Sequence, residues 1–183
     1  MKLNLGCGYK KLDGYVNVDS DALCAPDVLH DLEKFPWPFE DGSADEILLE
    51  HVLEHLGRDF SVFASIMKEL YRVSAPDGAL RILVPHPRHD WFLHDPSHVR
   101  VVTEHTIALF DQQRNTDDML QHGRASKLGL RFGVDFEVQN VIYVPADGKK
   151  PGTISREEVR LLNNLVEEIQ ITARVVKPCR YTS

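Results

Sequence analysis

The sequence predicts an α/β fold: a doubly wound, mostly parallel sheet of seven strands with a shortened first crossover. Three observations carry this. The chain opens on the apolar run Leu3-Asn4-Leu5, breaks at Gly6-Cys7-Gly8 and resumes at Val16-Asn17-Val18-Asp19. Residues 60–73 have the apolar spacing of an amphipathic helix and lead into another strand pattern. Two further strand-like runs, 136–144 and 169–175, close the chain. Strands interleaved with helical stretches fit a parallel sheet, and the closing pair fits a hairpin-like end.

The elements follow in order. Strand one ends at two glycines, which let the backbone turn sharply and approach a ligand. Strand two ends at Asp19, where an acidic side chain is placed to accept hydrogen bonds from a ribose. A dinucleotide fingerprint needs a third glycine where Lys11 stands, and no Gly-Lys-Ser or Gly-Lys-Thr of a phosphate-binding loop occurs. Only ten residues, 6–15, separate the first two strands. A crossover with its helix takes at least ~10–12, so the first helix is reduced to about a turn or replaced by a loop. The link 20–26 is also too short for a full helix. Residues 27–32 read as strand three, and strand four lies before Glu50. The helix 60–73 presents Phe60, Phe63, Ala64, Met67, Leu70 and Tyr71 on one side. Pro76-Asp77-Gly78 ends the next connection, and Leu80, Ile82 and Val84 mark strand five. Thr103 opens a short helix through Phe110. The polar, glycine-containing stretch 112–133 reads as a loop or lid, and 147–152 as a turn-rich insertion. Ser155 and Glu158 form a capping box ahead of Val159, Leu162, Leu165 and Val166. Helices are expected between the first five strands, but cover near strands two and three is thin. A bare sheet face calls for cover, from a partner subunit in a homodimer or from the polar loop.

With 183 residues the chain is most simply one domain, 1–183, able to bury a sizeable core. A net charge of −7 argues against a broad footprint on nucleic acid or an anionic membrane, leaving Lys149-Lys150 as a local basic patch. Three cysteines without paired spacing indicate a reducing compartment, and Cys7 reads as a small residue in a tight turn rather than a nucleophile. No leader or membrane-spanning run is evident, so a cytoplasmic location is expected.

Read onward, the chain supplies a series of motifs: Leu3 to Gly8, Asp19, Asp31-Leu32, Pro38-Phe39-Glu40-Asp41-Gly42-Ser43-Ala44-Asp45, Val52-Leu53-Glu54-His55-Leu56, and Ser74 to Gly78 before strand five. This order resembles the class I S-adenosylmethionine-dependent methyltransferases, which have a small Rossmann-like fold. The resemblance covers about the first half of the chain, to Val84. It implies that the last strand runs antiparallel beside strand five and that S-adenosylmethionine is the cofactor. It further implies that Gly6, Cys7 and Gly8 hold the methionine portion, Asp19 the ribose, and Asp31 with Leu32 the adenine. Glu50 and His51 would stand where the cofactor and substrate sites meet. Asp31 reads equally as a turn or cap residue, and His51 as an exposed residue at a helix start.

The segment from Pro85 to Arg100 follows strand five, where open α/β sheets place ligands. It holds His86, His89, His94 and His98, with Asp95, Trp91 and Phe92. Family members near sugar and lipid pathways carry a similar Asp-Pro-x-His pattern. By that resemblance His98 deprotonates a hydroxyl and Asp95 orients it, with His94 in reserve. A histidine has the right unperturbed pKa for that work. The plainer reading makes Asp95-Pro96 a turn and His98 a scaffold residue. These histidines, with His105, lack a standard zinc spacing, so no native metal is expected.

The function expected is therefore methyl transfer to a small-molecule hydroxyl or amine, with sugar-like and lipid-like acceptors among the candidates. No adjacent prolines follow strand four, as an amino-methyltransferase of nucleic-acid bases would have. Two alternatives stay open: a binding or regulatory protein that kept the fold without turnover, and a histidine-metal hydrolase.

Overall fold

A computed structural model describes residues 1–123, 126–148 and 155–181. One seven-stranded sheet organises them, in the order β3-β2-β1-β4-β5-β7-β6. Its strands are β1 (Lys2–Leu5), β2 (Val16–Asp19), β3 (Val28–Leu29), β4 (Ala44–Glu50), β5 (Ser74–Pro85), β6 (Phe136–Pro145) and β7 (Val166–Val175). The first five pair in parallel, while β7 is antiparallel to both β5 and β6. β1 has β2 on one side and β4 on the other, so the winding reverses there. A ligand crevice is expected at the carboxyl ends of these strands.

One core cluster joins Phe63, Ile66, Met67, Leu70 and Val73 of α1 (Phe60–Val73) to Leu3, Leu5, Ile47, Leu49, Leu80 and Ile82 of the sheet. Glu69 is the charged residue on that buried side. It accepts from Trp37 N (2.7 Å) and from Arg72 Nε (2.8 Å), so a buried carboxylate becomes a fastening for the Pro-Trp-Pro segment.

Several sequence expectations are corrected. α1 is the only α-helix between the first five strands. No helix joins β1 to β2, and the β2–β3 link holds one 3-10 turn, Ala22–Cys24, capped by Asp21. Strand three is only Val28–Leu29, with Asp27 N and His30 N donating to Asn17 O and Asp19 O of β2 on either side, and Asp31 turns the chain away just beyond. Asp27 Oδ2 accepts from Asn17 N and Nδ2 at 2.8 and 2.7 Å, and Asp31 Oδ1 from Glu33 N at 2.9 Å. The first two bonds hold Asp27 against β2, and the last is a local bond that turns the chain out of the ladder. β5 begins at Ser74 and so takes in Pro76-Asp77-Gly78, with Asp77 at φ +59° and a register shift against Ala44 and Glu46 on β4.

The stretch 112–133 is helical rather than a loop. After α2 (Asp90–His94) and α3 (Glu104–Ala108) come α4 (Gln112–His122) and α5 (Leu128–Phe132). Asp111 caps α4 by accepting from Arg114 N at 3.1 Å. The buried residues of α4 are polar, Gln112 and Asn115, so apolar periodicity could not reveal it. Gln112 N donates to Asp135 Oδ1, and Phe136 N to Phe110 O, which fixes this region beside β6. It is thus at the opposite edge of the sheet from β3 and does not cover it. Near β2 and β3, Tyr9 and Leu23 are 80% exposed and Leu29 60%.

The capping box of Ser155 and Glu158 is present, but α6 (Arg156–Leu161) stops at once. Leu162 and Leu165 lie beyond it, and Val166 opens β7 instead. Lys149, Lys150, Pro151 and Gly152 lie outside the described residues. Among the described residues no helix is long and apolar enough to cross a membrane.

Candidate functional site

Gly6 and Gly8 take φ values of +66° and +50° as the chain leaves β1. A Cβ on Gly6 would stand 2.5 Å from Val52 Cγ2, so the turn packs directly on the segment after β4. A Cβ on Gly8 would meet nothing within 4 Å, and the space beside that peptide is open. Cys7 N donates to Val18 O at 3.0 Å, and Gly8 N donates to Asp19 Oδ2 at 2.7 Å. Asp19 Oδ1 accepts from Asp21 N at 2.9 Å. One carboxylate therefore ties the glycine turn to the end of β2.

Two amides replace the missing helix. Asn4 Nδ2 donates to Lys10 O (2.9 Å) and to Asn17 Oδ1 (3.0 Å), and Leu12 N donates to Asn17 Oδ1 (2.8 Å). Both asparagines are buried, so the loop is held by satisfied polar groups rather than by packing. Sequence reading passed over them, although a polar residue at the same place in two short apolar strands was the available signal. Beyond the loop, Lys10 Nζ pairs with Glu50 at the end of β4. Asp31 is exposed and holds a turn through Glu33 N, while Leu32 is buried and its carbonyl accepts from Trp37 Nε1 at 3.0 Å.

His51 leaves β4 at φ +54°, a conformation that costs a non-glycine residue free energy and clusters at functional sites. Its Nε2 lies 2.9 Å from Glu168 Oε2 on β7, and its Nδ1 3.5 Å from Glu54 Oε1. The hydrogen bond to Glu168 and the nearby Glu54 outweigh burial and raise its pKa to about 10. The Glu168 carboxyl is correspondingly held below its ordinary range by that bond. His51 is thus an imidazolium at neutral pH, a fixed positive charge beside the crevice.

The Pro85–Arg100 histidines divide into two groups. His86 and His89 are buried, and each Nδ1 accepts from a backbone N–H, of Arg88 (3.3 Å) and Trp91 (3.2 Å). Burial lowers the pKa of His86. His94 ends α2 on the surface, and His105 lies beside Glu104. His98 faces the β4 side: its ring stacks on Phe92 and meets the His55 ring edge-on, with centroids 5.1 and 4.6 Å apart. Its Nδ1 donates to Phe92 O at 2.8 Å, which leaves Nε2 with the lone pair. Asp95 Oδ2 is 3.9 Å from that Nε2. Its other oxygen accepts from Ser97 N and Oγ, and Ser97 Oγ is 2.9 Å from His55 Nδ1. Asp95 thereby orients His55 through Ser97. A separate concavity of about 660 Å³ lies between α3 and α4, lined by Thr103, Thr106 and Arg114 among others. It contains none of the turn residues or His98.

The open space at Gly8 and the carboxylate of Asp19 fit a nucleoside cofactor extended along this crevice.

Residues 3–82 match the family model described as a methyltransferase domain. A search of curated proteins returned no match. Among solved structures, an S-adenosylmethionine-dependent methyltransferase from Archaeoglobus fulgidus superposes with a TM-score of 0.62 at 17% identity, covering 94% of this chain and 85% of that one. The N-methyltransferase NodS of Bradyrhizobium japonicum gives 0.56 at 14% identity, over 96% and 85%. The 1,6-didemethyltoxoflavin-N1-methyltransferase of Burkholderia thailandensis, solved with its substrate and S-adenosylhomocysteine, gives 0.55 at 14%, over 96% and 71%.

Proposed function

With a methyltransferase domain matched over residues 3–82 and the fold of S-adenosylmethionine-dependent methyltransferases, we propose that this chain transfers a methyl group to a small molecule bearing a hydroxyl or an amine. The single observation that carries the reading is the glycine turn with Gly8 N bonded to Asp19. It supplies a close backbone approach and a carboxylate at one end of one crevice.

S-adenosylmethionine, when bound, supplies an electrophilic methyl group on a sulfonium that leaves as a neutral thioether. The residues of this chain do the rest. Gly6, Cys7 and Gly8 take the methionine end, and Asp19 accepts from the ribose hydroxyls. Asp31 and Leu32 border the base, and Glu50 and His51 the junction with the acceptor. Nε2 of His98 is held bare by the bond from Nδ1 to Phe92 O, so it can take the acceptor's proton. Asp95 acts at one remove, through Ser97 and His55. Trp91, which is exposed, and Phe92 offer apolar walls for a sugar-sized or lipid-like acceptor. The chain's acidity favours such an acceptor over nucleic acid.

Isothermal titration tests the reading. S-adenosylmethionine and S-adenosylhomocysteine should both bind saturably, and NAD should not. Saturable NAD binding without a response to either methionine nucleoside overturns it.

A further inference from the structure

We propose that Glu54, His55 and His98 form a binding site for a divalent transition-metal ion of the zinc class, at the acceptor side of the crevice. One carboxylate oxygen and one nitrogen of each ring lie within 4.8 Å of one another. Glu54 and His55 come from the 3-10 turn after β4, Leu53–His55, and His98 from the loop after α2. Val99 N and Arg100 N both donate to Glu54 O, at 2.9 and 3.1 Å, and clamp the two segments together.

The second observation is the carboxylate itself. Glu54 is 1% exposed, and both of its side-chain oxygens are buried without a hydrogen-bond partner. His51 Nδ1 pairs by charge with Oε1 at 3.5 Å, too far for a hydrogen bond, and Oε2 has neither an ion-pair nor a hydrogen-bond partner among the described residues. A buried carboxylate in that state is costly, and buried charges are normally paired or coordinate metals. One imidazolium at 3.5 Å leaves the second oxygen unmatched, and the cluster offers that oxygen a cation.

The histidines are set up as ligands. Nδ1 of His98 donates to Phe92 O, and a carbonyl can only accept. Ser97 Oγ gives its proton to Asp95 and so must accept from His55 Nδ1. Each ring therefore keeps its Nε2 lone pair. A second nitrogen bonded to a carbonyl or, through a hydroxyl, to a carboxylate is what orients metal-bound imidazoles. Two imidazoles and one carboxylate leave a fourth position open for water or an acceptor oxygen. Metal–ligand distances of about 2.0–2.2 Å require the three atoms to close by roughly 1 Å, within reach of side-chain rotation. No step in the histidine spacing of 86–105 announced this set, because two of its members stand before α1.

This inference rests on the acceptor side of the proposed function and refines it. An acceptor oxygen on the open position would lose its proton to solvent more readily, and Nε2 of His98 would then be a ligand rather than the base.

The test uses chelator-treated full-length protein. Zn²⁺ is added by isothermal titration, and Co²⁺ is followed by its visible absorption. One ion per chain should bind, with a Co²⁺ spectrum of low coordination number. Glu54→Gln, His55→Ala and His98→Ala should each abolish or weaken binding by at least about 100-fold, and Ser97→Ala by about 10–100-fold. His105→Ala should leave it unchanged. Melting curves establish that each variant is folded, and Ser97→Ala, on the surface, serves if Glu54→Gln is not. No binding to the folded wild type, or binding indifferent to all four variants, overturns the site. S-adenosylmethionine titration of the same samples separates the two ideas: cofactor binding without metal binding removes the site and keeps the methyltransferase, and the reverse removes the methyltransferase and keeps the site.

Discussion

The glycine turn and the histidine cluster both stand at the carboxyl ends of the parallel strands, and they are made in opposite ways. The turn is backbone from one continuous stretch, with Gly8 N and Asp19 eleven residues apart. The cluster is side chains from two segments, with His55 and Ser97 forty-two residues apart. The first needs particular φ values and no side chain where a ligand must approach. The second needs particular side chains and depends on the sheet to bring them together. Backbone sites of the first sort resist substitution at glycines; side-chain sites of the second sort lose chemistry one residue at a time.

The widest gap between the regions should come from His98→Ala. Turnover should fall by roughly 10²–10⁴-fold once an acceptor is found, with cofactor affinity nearly unchanged. An equal loss of cofactor binding would merge the two regions into one. Asp19→Ala should do the converse. Losing hydrogen bonds to a charged acceptor should weaken cofactor binding by about 1.5–3 kcal/mol, read by calorimetry, while Co²⁺ binding at the cluster stays as in the wild type. Wild-type affinity would shift the ribose role to Asp21.

Gly6→Ala breaks the comparison from the backbone side. The new methyl would meet Val52 Cγ2 at 2.5 Å in a left-handed conformation, and chemical denaturation should show a loss of about 1–3 kcal/mol. Gly8→Ala has open space and shares only the φ penalty, so it should cost stability less and cofactor binding more.

The smallest effect concerns His51, which joins the regions. Its raised folded pKa means that its contribution is full below its unfolded value, ~6.5, and is lost as pH rises through about 10. Glu168, depressed by the same bond, contributes above ~4.3 and loses that contribution as pH falls through its lowered value. The stability difference between wild type and His51→Gln should therefore be flat from about pH 4.5 to 6.5 and shrink above. An imidazole proton titrating near neutrality by NMR would remove the fixed charge.

Much of the architecture was legible because local patterns carry it. The run from Leu3 to Asp19, the amphipathic 60–73 and the alternating ends predicted the strand count and the position of α1, while the antiparallel last strand came from the resemblance to the methyltransferase family. Helices with polar buried faces were not legible, as α4 shows through Gln112 and Asn115. Nor was the length of strand three, which ends where Asp31 turns the chain through Glu33 N. In the candidate site, the glycine turn and Asp19 were readable as positions, because the turn and the end of the next strand lie within one short stretch. Glu54 and His55 were readable only as part of a helix-start motif, since their meaning depends on a loop folded back from beyond β5.

The helix-free link between β1 and β2 has a consequence for the life of the protein. The β2–β3 edge is guarded by a few ladder bonds, Asn4, Asn17 and Asp27, and it should open locally far more often than the layer of α1, β4 and β5. A cofactor seated on the glycine turn adds its binding free energy to every opening that destroys its seat, local opening of that edge as well as global unfolding, by mass action. Amide exchange through local opening of that edge should then slow with cofactor concentration, while central amides that exchange by local openings sparing the turn keep their rate. Resistance to proteases would follow the cofactor supply, making the weakest edge of the sheet a gauge of the cell's methyl donor.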